Sequence, residues 1–267
     1  MENNNTYFEA NKKLWDARTE AHIDSKFYDL EGFKKGNTAL GPIVMKEMPE
    51  VAGKTLLHLQ CHFGLDTLSF ARMGAKVTGV DLSSKSIETA RSLSEELNIP
   101  ASFVESNVLD IHKKIEEQFD IVYTSYGAIC WLPDINDWAE QVAKRLKPGG
   151  IFYMAEFHPY LYMWEWKDQE IAFPYFSKGK AFHEKTKGSY TDGSEGVEFD
   201  EYFWIHGIAD VQTALRNNGI QVIGFNEYDY NPYPCFEGIK KRAEKEYVYE
   251  VNGHAIPAVF TVLGSKN

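Results

Sequence analysis

Residues 55–81 read TLLHLQCHFGLDTLSFARMGAKVTGVD, and their rhythm sets the fold. Thr55-Leu56-Leu57-His58-Leu59 is a short apolar run of the kind that forms a strand buried on both faces. Leu65, Leu68 and Ala71 recur at helical spacing, and Gly74 stops that helix. Lys76–Asp81 is a second strand, and Ser83 after it is a good N-cap for a helix carrying Ile87, Ala90, Leu93 and Leu97 up to Pro100. The pattern continues with strands over 101–104, 119–124 and 151–155. A helix built on Ile135, Trp138, Ala139, Val142 and Leu146 precedes the last of these, closed by a Lys147-Pro148-Gly149-Gly150 turn. Strands alternating with helices predict an α/β fold with a mostly parallel sheet and helices on both faces. Ligands in such sheets sit beyond the carboxyl ends of the strands. Chemistry is therefore expected just after residues 59, 81, 106, 125 and 155.

Composition narrows the class. The chain has 267 residues, 43% hydrophobic and 25% charged, which suits one folded domain with insertions. No apolar run approaches the ~20 residues of a membrane helix. The polar start MENNNTYFEANKKLWD is unlike a secretory signal, and three scattered cysteines, Cys61, Cys130 and Cys235, do not make a disulfide framework. A cytoplasmic location is the expectation. The net charge of −11 argues against nucleic acid as a partner. The division expected is a single domain over 1–267: an N-terminal lid extension (1–50), a cofactor-binding core (51–156), an insertion (157–205), and a C-terminal helix with strands (206–267).

The first strand runs into a turn containing Gly64, and Asp81 closes the second strand seventeen residues later. A glycine lets backbone approach a bound nucleotide, and an acid at that strand end can accept from both ribose hydroxyls. Together they indicate an adenosine-containing cofactor, a dinucleotide or S-adenosylmethionine. A nicotinamide enzyme would place Gly-x-Gly-x-x-Gly in the first turn, which is absent here. His58 and His62 are four apart but span a strand end and a loop, so they share no helical face, and no metal is expected.

Three segments, LLHLQCHFGLDTLSFARMGAKVTGVDLS (56–83), FDIVYTSYGAICWLPD (119–134) and LKPGGIFYMAE (146–156), resemble the class I S-adenosylmethionine-dependent methyltransferases. Within them the chain is most similar to a group whose first motif reads LHLQCHFG. The likeness covers residues 51–160 closely, and WDARTEAHIDSKFYDLEGF (15–33) and the C-terminal strands more weakly. It implies a Rossmann-like seven-stranded sheet, S-adenosylmethionine as cofactor with S-adenosylhomocysteine as product, and a small-molecule methyl acceptor. It further implies that Gln60, Cys61 and Gly64 line the methionine end, that Asp81 holds the ribose, and that Leu82 and Ser83 lie beside the adenosine. Asn107 and Val108 would face the adenine, with Ser125 and Tyr126 near the transferred methyl. Gln60 and His62 stand where the family usually has glycine, which leaves open the backbone path of the turn and a non-catalytic binding module as an alternative.

Glu156 and His158 follow the fifth strand and are the catalytic candidates, since His158 has a suitable pKa for proton removal from an acceptor. Trp131 and Tyr160 are the substrate candidates. Tyr160, Tyr162, Trp164 and Trp166 alternate at period two, which predicts an extended segment with four rings on one face. That segment reads as a lid or, equally, as a packing or homodimer surface. Phe27 and Tyr28 are assigned to the cofactor side, where rings can attract a sulfonium.

Overall fold

The computed structural model describes residues 2–191 and 197–267. Three helices come first, α1 (Glu2–Ile23), α2 (Leu30–Lys34) and α3 (Pro42–Glu47). The core then alternates β1 (Thr55–Leu59), α4 (Leu65–Arg72), β2 (Lys76–Asp81), α5 (Ser84–Glu96), β3 (Ser102–Glu105), β4 (Phe119–Thr124), α6 (Ile135–Arg145) and β5 (Leu146–Phe157). Helix α7 (Ile208–Asn217) and strands β6 (Ile220–Tyr228) and β7 (Val259–Lys266) complete it. The seven strands lie in the order β6-β7-β5-β4-β1-β2-β3. All pairs among β1 to β5 are parallel, while β7 runs antiparallel to both β5 and β6. The expected seven-stranded, mostly parallel α/β sheet is thus present, and its order reverses between β1 and β4.

Alternate residues along each strand serve opposite faces. Leu57, Leu59, Val122 and Met154 join Trp138 and Val142 of α6 in one core. Leu56, Ile121, Tyr123 and Tyr153 join Phe70 of α4 and Val44 of α3 in the other. Asp134 caps α6 by accepting from the amides of Asn136 and Asp137 at 2.7 and 3.2 Å. Ser83 caps α5 through the Ser86 amide at 3.0 Å.

Two local expectations are corrected. Lys147–Gly150 is not a turn off the sheet: β5 starts at Leu146, which pairs with Phe119, and the register slips by a bulge before Ile121 pairs with Ile151. Nor is 160–166 extended. Leu161–Met163 is a single 3-10 turn and Trp164–Glu165 is half of a small hairpin with Glu170–Ile171. The four rings therefore do not share one face: Tyr160, Trp164 and the buried Trp166 are in contact in series at 5.8 and 5.6 Å, while Tyr162 packs on Phe236 at 5.7 Å. Apolar burial of Leu161 and Trp166 against Tyr249 and Val259 outweighs the strand-like alternation.

A longer hairpin, Phe182–Lys187 with Glu198–Phe203, follows, and residues 192–196 of the expected insertion lie outside the described residues. Helix α1 is fastened to it. Asn11 and Tyr202 exchange two hydrogen bonds at 2.8 and 2.9 Å, and Arg18 pairs with Glu201 at 2.7 Å. Between β6 and β7 the less regular stretch contains two short hairpins, 240–248 and 250–255.

Gly64 has φ +81°, and a Cβ there would stand 2.7 Å from the Phe103 ring. Gly64→Ala is expected to cost about 2 kcal/mol or more, since strain and overlap add. Gly74→Ala, at φ +92° with nothing nearer than 3.5 Å, should cost only about 1 kcal/mol. Urea titration of both variants measures the difference.

Candidate functional site

The turn after β1 is left-handed at alternate positions, with φ of 57° at Gln60, 50° at His62 and 81° at Gly64. The two residues that replace glycine therefore keep a glycine-type backbone path, at ~1–2 kcal/mol each for the αL conformation. Their hydrogen bonds offset that strain. Gln60 Nε2 donates to the Ala128 carbonyl at 2.7 Å, and the His62 amide donates to Asp81 Oδ2 at 2.8 Å. The His62 ring is bonded on both nitrogens, to Ser86 Oγ at 2.9 Å and to His22 Nδ1 at 2.8 Å. His22 Nε2 continues to Ser189 Oγ at 2.7 Å, and Ser86 Oγ to Thr19 Oγ1 at 2.6 Å. One chain of hydrogen bonds thus joins the turn, α5, α1 and the long hairpin.

This turn opens on a cavity of about 1560 Å³. That exceeds the ~300–1,000 Å³ of a common ligand pocket, leaving room for a nucleoside-sized cofactor beside a second small molecule. Gln60, Cys61 and Gly64 line it, with Asp81 and Leu82 from the end of β2 and Asn107 and Val108 from the end of β3. Ser125, Tyr126 and Trp131 line it after β4, and Phe27 and Tyr28 approach from the N-terminal segment. The Asp81 carboxylate also accepts from the Ser83 amide at 2.8 Å. Burial pushes its pKa up to about 6, against the pull of the Ser83, His62 and Leu82 amides. Asn107 caps the following 3-10 turn through the Leu109 amide at 3.0 Å. Ser125 Oγ meets His58 Nε2 at 3.1 Å, while His58 Nδ1 meets Thr67 Oγ1 at 2.8 Å. Gln60 Oε1 and the Tyr126 hydroxyl are buried with no hydrogen-bond partner among the described residues.

Four predicted residues lie elsewhere. Ser83 does not line the cavity, and its hydroxyl donates to Asp16 Oδ1 at 2.6 Å while capping α5. Glu156, 1% exposed, turns away from the cavity. Its carboxylate accepts from the amides of Gly127, of Ala128 at 2.8 Å, of Ile129 at 3.1 Å and of Phe157 at 2.6 Å. It clamps the loop that carries Tyr126 and Trp131, so contact with a substrate is replaced by a positioning role. His158 Nδ1 accepts from the Tyr160 amide at 3.1 Å, so Nε2 is the donor to Glu227 Oε1, also at 3.1 Å. That locks the ring between β5 and β6, out of reach as a base, and Tyr160 is likewise off the cavity wall. The three corrections at the end of β5 share one cause: β7 pairs alongside β5 up to Phe157 and occupies this strand end.

Several lining residues lie outside the strand-end motifs. Arg18 sits over the rings of Trp15 and Trp131, at 5.5 and 5.9 Å. The hydroxyls of Tyr28 and Tyr190, both lining the cavity, meet at 2.6 Å, and Phe27 contacts the rings of Tyr190 and Tyr233. The contacts of Phe27 and Tyr28 join segments more than 150 residues apart, and no local pattern signals them. Asp66 lines the cavity two residues after Gly64, in the first turn of α4, where its place beside the strand end is the available signal.

Burial lowers the pKa of His22 and of His58 from 6.5 to about 3, and that of His62 also falls. The folded state refuses protons that the unfolded chain accepts below pH 6.5, so each contributes stability that is lost as pH falls from 6.5 toward 3. Glu156, pushed up to about 7 by burial, acts in the opposite sense between pH 7 and 4.5. His58→Gln is expected to flatten the acid limb by up to ~1.4 kcal/mol per pH unit below 6.5, read from denaturation at pH 7.5, 6, 5 and 4.

A family model described as a methyltransferase domain matches residues 57–152. Ubiquinone biosynthesis O-methyltransferase of Proteus mirabilis is 32% identical over 136 residues, covering 49% of this chain and 55% of that protein. The Klebsiella pneumoniae enzyme of that name is 31% identical over 142 residues, covering 51% and 58%. The chain thus spans little more than half the length of the curated relatives it matches. Among solved structures, an S-adenosylmethionine-dependent methyltransferase from Methanosarcina mazei superposes with TM-score 0.57 at 18% identity, over 85% of this chain and 98% of that one. The geranyl diphosphate C-methyltransferase of Streptomyces coelicolor, solved with S-adenosyl-L-homocysteine, gives 0.55 at 12% identity, over 84% and 74%. The β1–β5 core thus matches a methyltransferase domain, and the whole sheet has the architecture of these solved S-adenosylmethionine-dependent methyltransferases.

Proposed function

We propose that the protein transfers the methyl group of S-adenosylmethionine to a small molecule and releases S-adenosylhomocysteine. The observation that carries this reading is the left-handed turn at 60–64, tied to Asp81 and opening on a large cavity where the strand order reverses. Such a switch point is where this architecture takes ligands. The side chains present fit the cofactor. Asp81 offers its carboxylate to the ribose hydroxyls, Leu82, Asn107 and Val108 flank the adenine, and Gln60, Cys61, Gly64, Ser125 and Tyr126 receive the methionine end. The partnerless Gln60 Oε1 and Tyr126 hydroxyl are the polar atoms a ligand would satisfy.

The cofactor supplies an electrophilic methyl carbon, and displacement in line depends on alignment more than on protein-derived nucleophiles. The chain's work is positioning. Glu156 fixes the loop of Tyr126 and Trp131, and the Tyr28–Tyr190 contact joins the N-terminal segment to the long hairpin side of the cavity. The three cysteines are free of disulfides, which suits a reducing cytoplasm. No helix of the described residues is long and apolar enough to cross a membrane. Phe176 and Ile171, 77% and 60% exposed, are the surface a homodimer would use.

Calorimetric titration tests the reading. Wild type should bind S-adenosylmethionine, and Asp81→Ala should bind it about 10- to 100-fold more weakly, as for a charge-assisted hydrogen-bond pair worth ~1.5–3 kcal/mol. No binding by wild type defeats the cofactor assignment, and unchanged affinity in a folded mutant defeats the role of Asp81.

A further inference from the structure

Asp66 is the cavity feature that the cofactor reading leaves unused. Its Oδ2 accepts from the Tyr123 hydroxyl at 3.2 Å, and it forms no ion pair among the described residues. Its negative charge reaches the phenols of Tyr126, Tyr233 and Tyr28, which burial first, and Asp66 among their neighbours, keep protonated. The rings form a connected wall: Tyr126 lies 5.3 Å from Tyr233, Tyr233 5.9 Å from Phe27, and Phe27 5.0 Å from Tyr28. The Tyr126 hydroxyl has no hydrogen-bond partner among the described residues. An ionised carboxylate withdrawn from water needs a compensating charge, and ring faces attract cations. Acidic side chains also outnumber basic ones around this cavity, and Arg18 is already paired with Glu201.

Sheet order separates this carboxylate from the adenosine end. Asp81 and Asn107 come from the ends of β2 and β3, on one side of β1, whereas Tyr123 and Tyr126 come from β4, on the other. We propose that the methyl acceptor is an amine, received as its cation between Asp66 and the rings of Tyr126, Tyr233 and Tyr28. The proposal rests on the methyltransferase reading above. The ammonium gives one proton to the Asp66 carboxylate. The freed nitrogen lone pair forms the N–CH₃ bond as the C–S bond breaks, its electron pair passing to sulfur. The products are a neutral thioether and a methylated ammonium. Burial, which pushes the Asp66 pKa up to about 6, makes it a better proton acceptor than an exposed carboxylate.

The test uses the full chain saturated with S-adenosylhomocysteine and titrated with benzylamine or its neutral isostere benzyl alcohol. Wild type is expected to prefer benzylamine by about tenfold or more, ~1.4 kcal/mol. Asp66→Asn should abolish the preference while changing the affinities for S-adenosylmethionine and S-adenosylhomocysteine by less than about threefold. Equal binding of the two probes, or of neither, by wild type overturns the proposal. So does Asp66→Asn that weakens the cofactor itself, which would give the carboxylate to the cofactor. If Asp66→Asn does not fold, Tyr233→Leu takes its place, with loss of benzylamine preference expected and its retention contrary. Failure of wild type to bind S-adenosylhomocysteine at all removes the methyltransferase reading, and this proposal falls with it.

Discussion

The bond from the His62 amide to Asp81 Oδ2 is the constraint on which the rest of the site depends. It ties the turn after β1 to the end of β2, and it holds His62 in a left-handed conformation that an L-residue resists. With His62 fixed, its ring can reach Ser86 on one side and His22 on the other. The same substitution that strains the turn thereby anchors the N-terminal helix. A glycine at position 62 would follow this path without strain but would leave His22 unpartnered at that nitrogen. The turn has exchanged conformational ease for a connection between floor and roof.

A second anchor works from the opposite side of the switch point. Glu156 lies in a strand flanked by β4 and β7, and Phe260 is its cross-strand partner. From there its carboxylate collects four amides and sets the loop that carries Tyr126 and Trp131. The first turn reaches that loop too, through Gln60 and the Ala128 carbonyl. Two independent fastenings on one short loop give it definition that a solvent-exposed connection would lack.

The core was legible because strand and helix periods are local. Leu56, Leu57 and Leu59 announce β1, and Trp138, Ala139 and Val142 announce the buried face of α6. Gly64 and Asp81 announced the floor of the cavity because turn geometry and strand ends are also short-range properties. Glu156 and His158 misled because a strand end faces the cleft only if nothing covers it, and β7, a hundred residues later, does. The aromatic alternation over 160–166 misled because ring packing on Tyr249 and Val259 decides that segment, not its period. His22, Arg18 and Tyr190 were invisible for the same reason: their partners are Ser189, Glu201 and Tyr28, brought near only by the finished fold.

The chain of hydrogen bonds from Ser189 through His22 to His62 also bears on kinetics. The floor belongs to the sheet and can open only with global unfolding, whereas the roof is made from α1 and a hairpin that contribute no strand to that sheet. Partial openings of a native protein follow such seams. The roof can therefore detach as a unit while the sheet stays intact, and the bonds of α1 to the turn and to α5, His22–His62, Thr19–Ser86 and Asp16–Ser83, are together the joint that must part. Ligand residence time would then be set by that joint rather than by contacts to the ligand alone, and amide exchange in α1 would slow as the cavity fills.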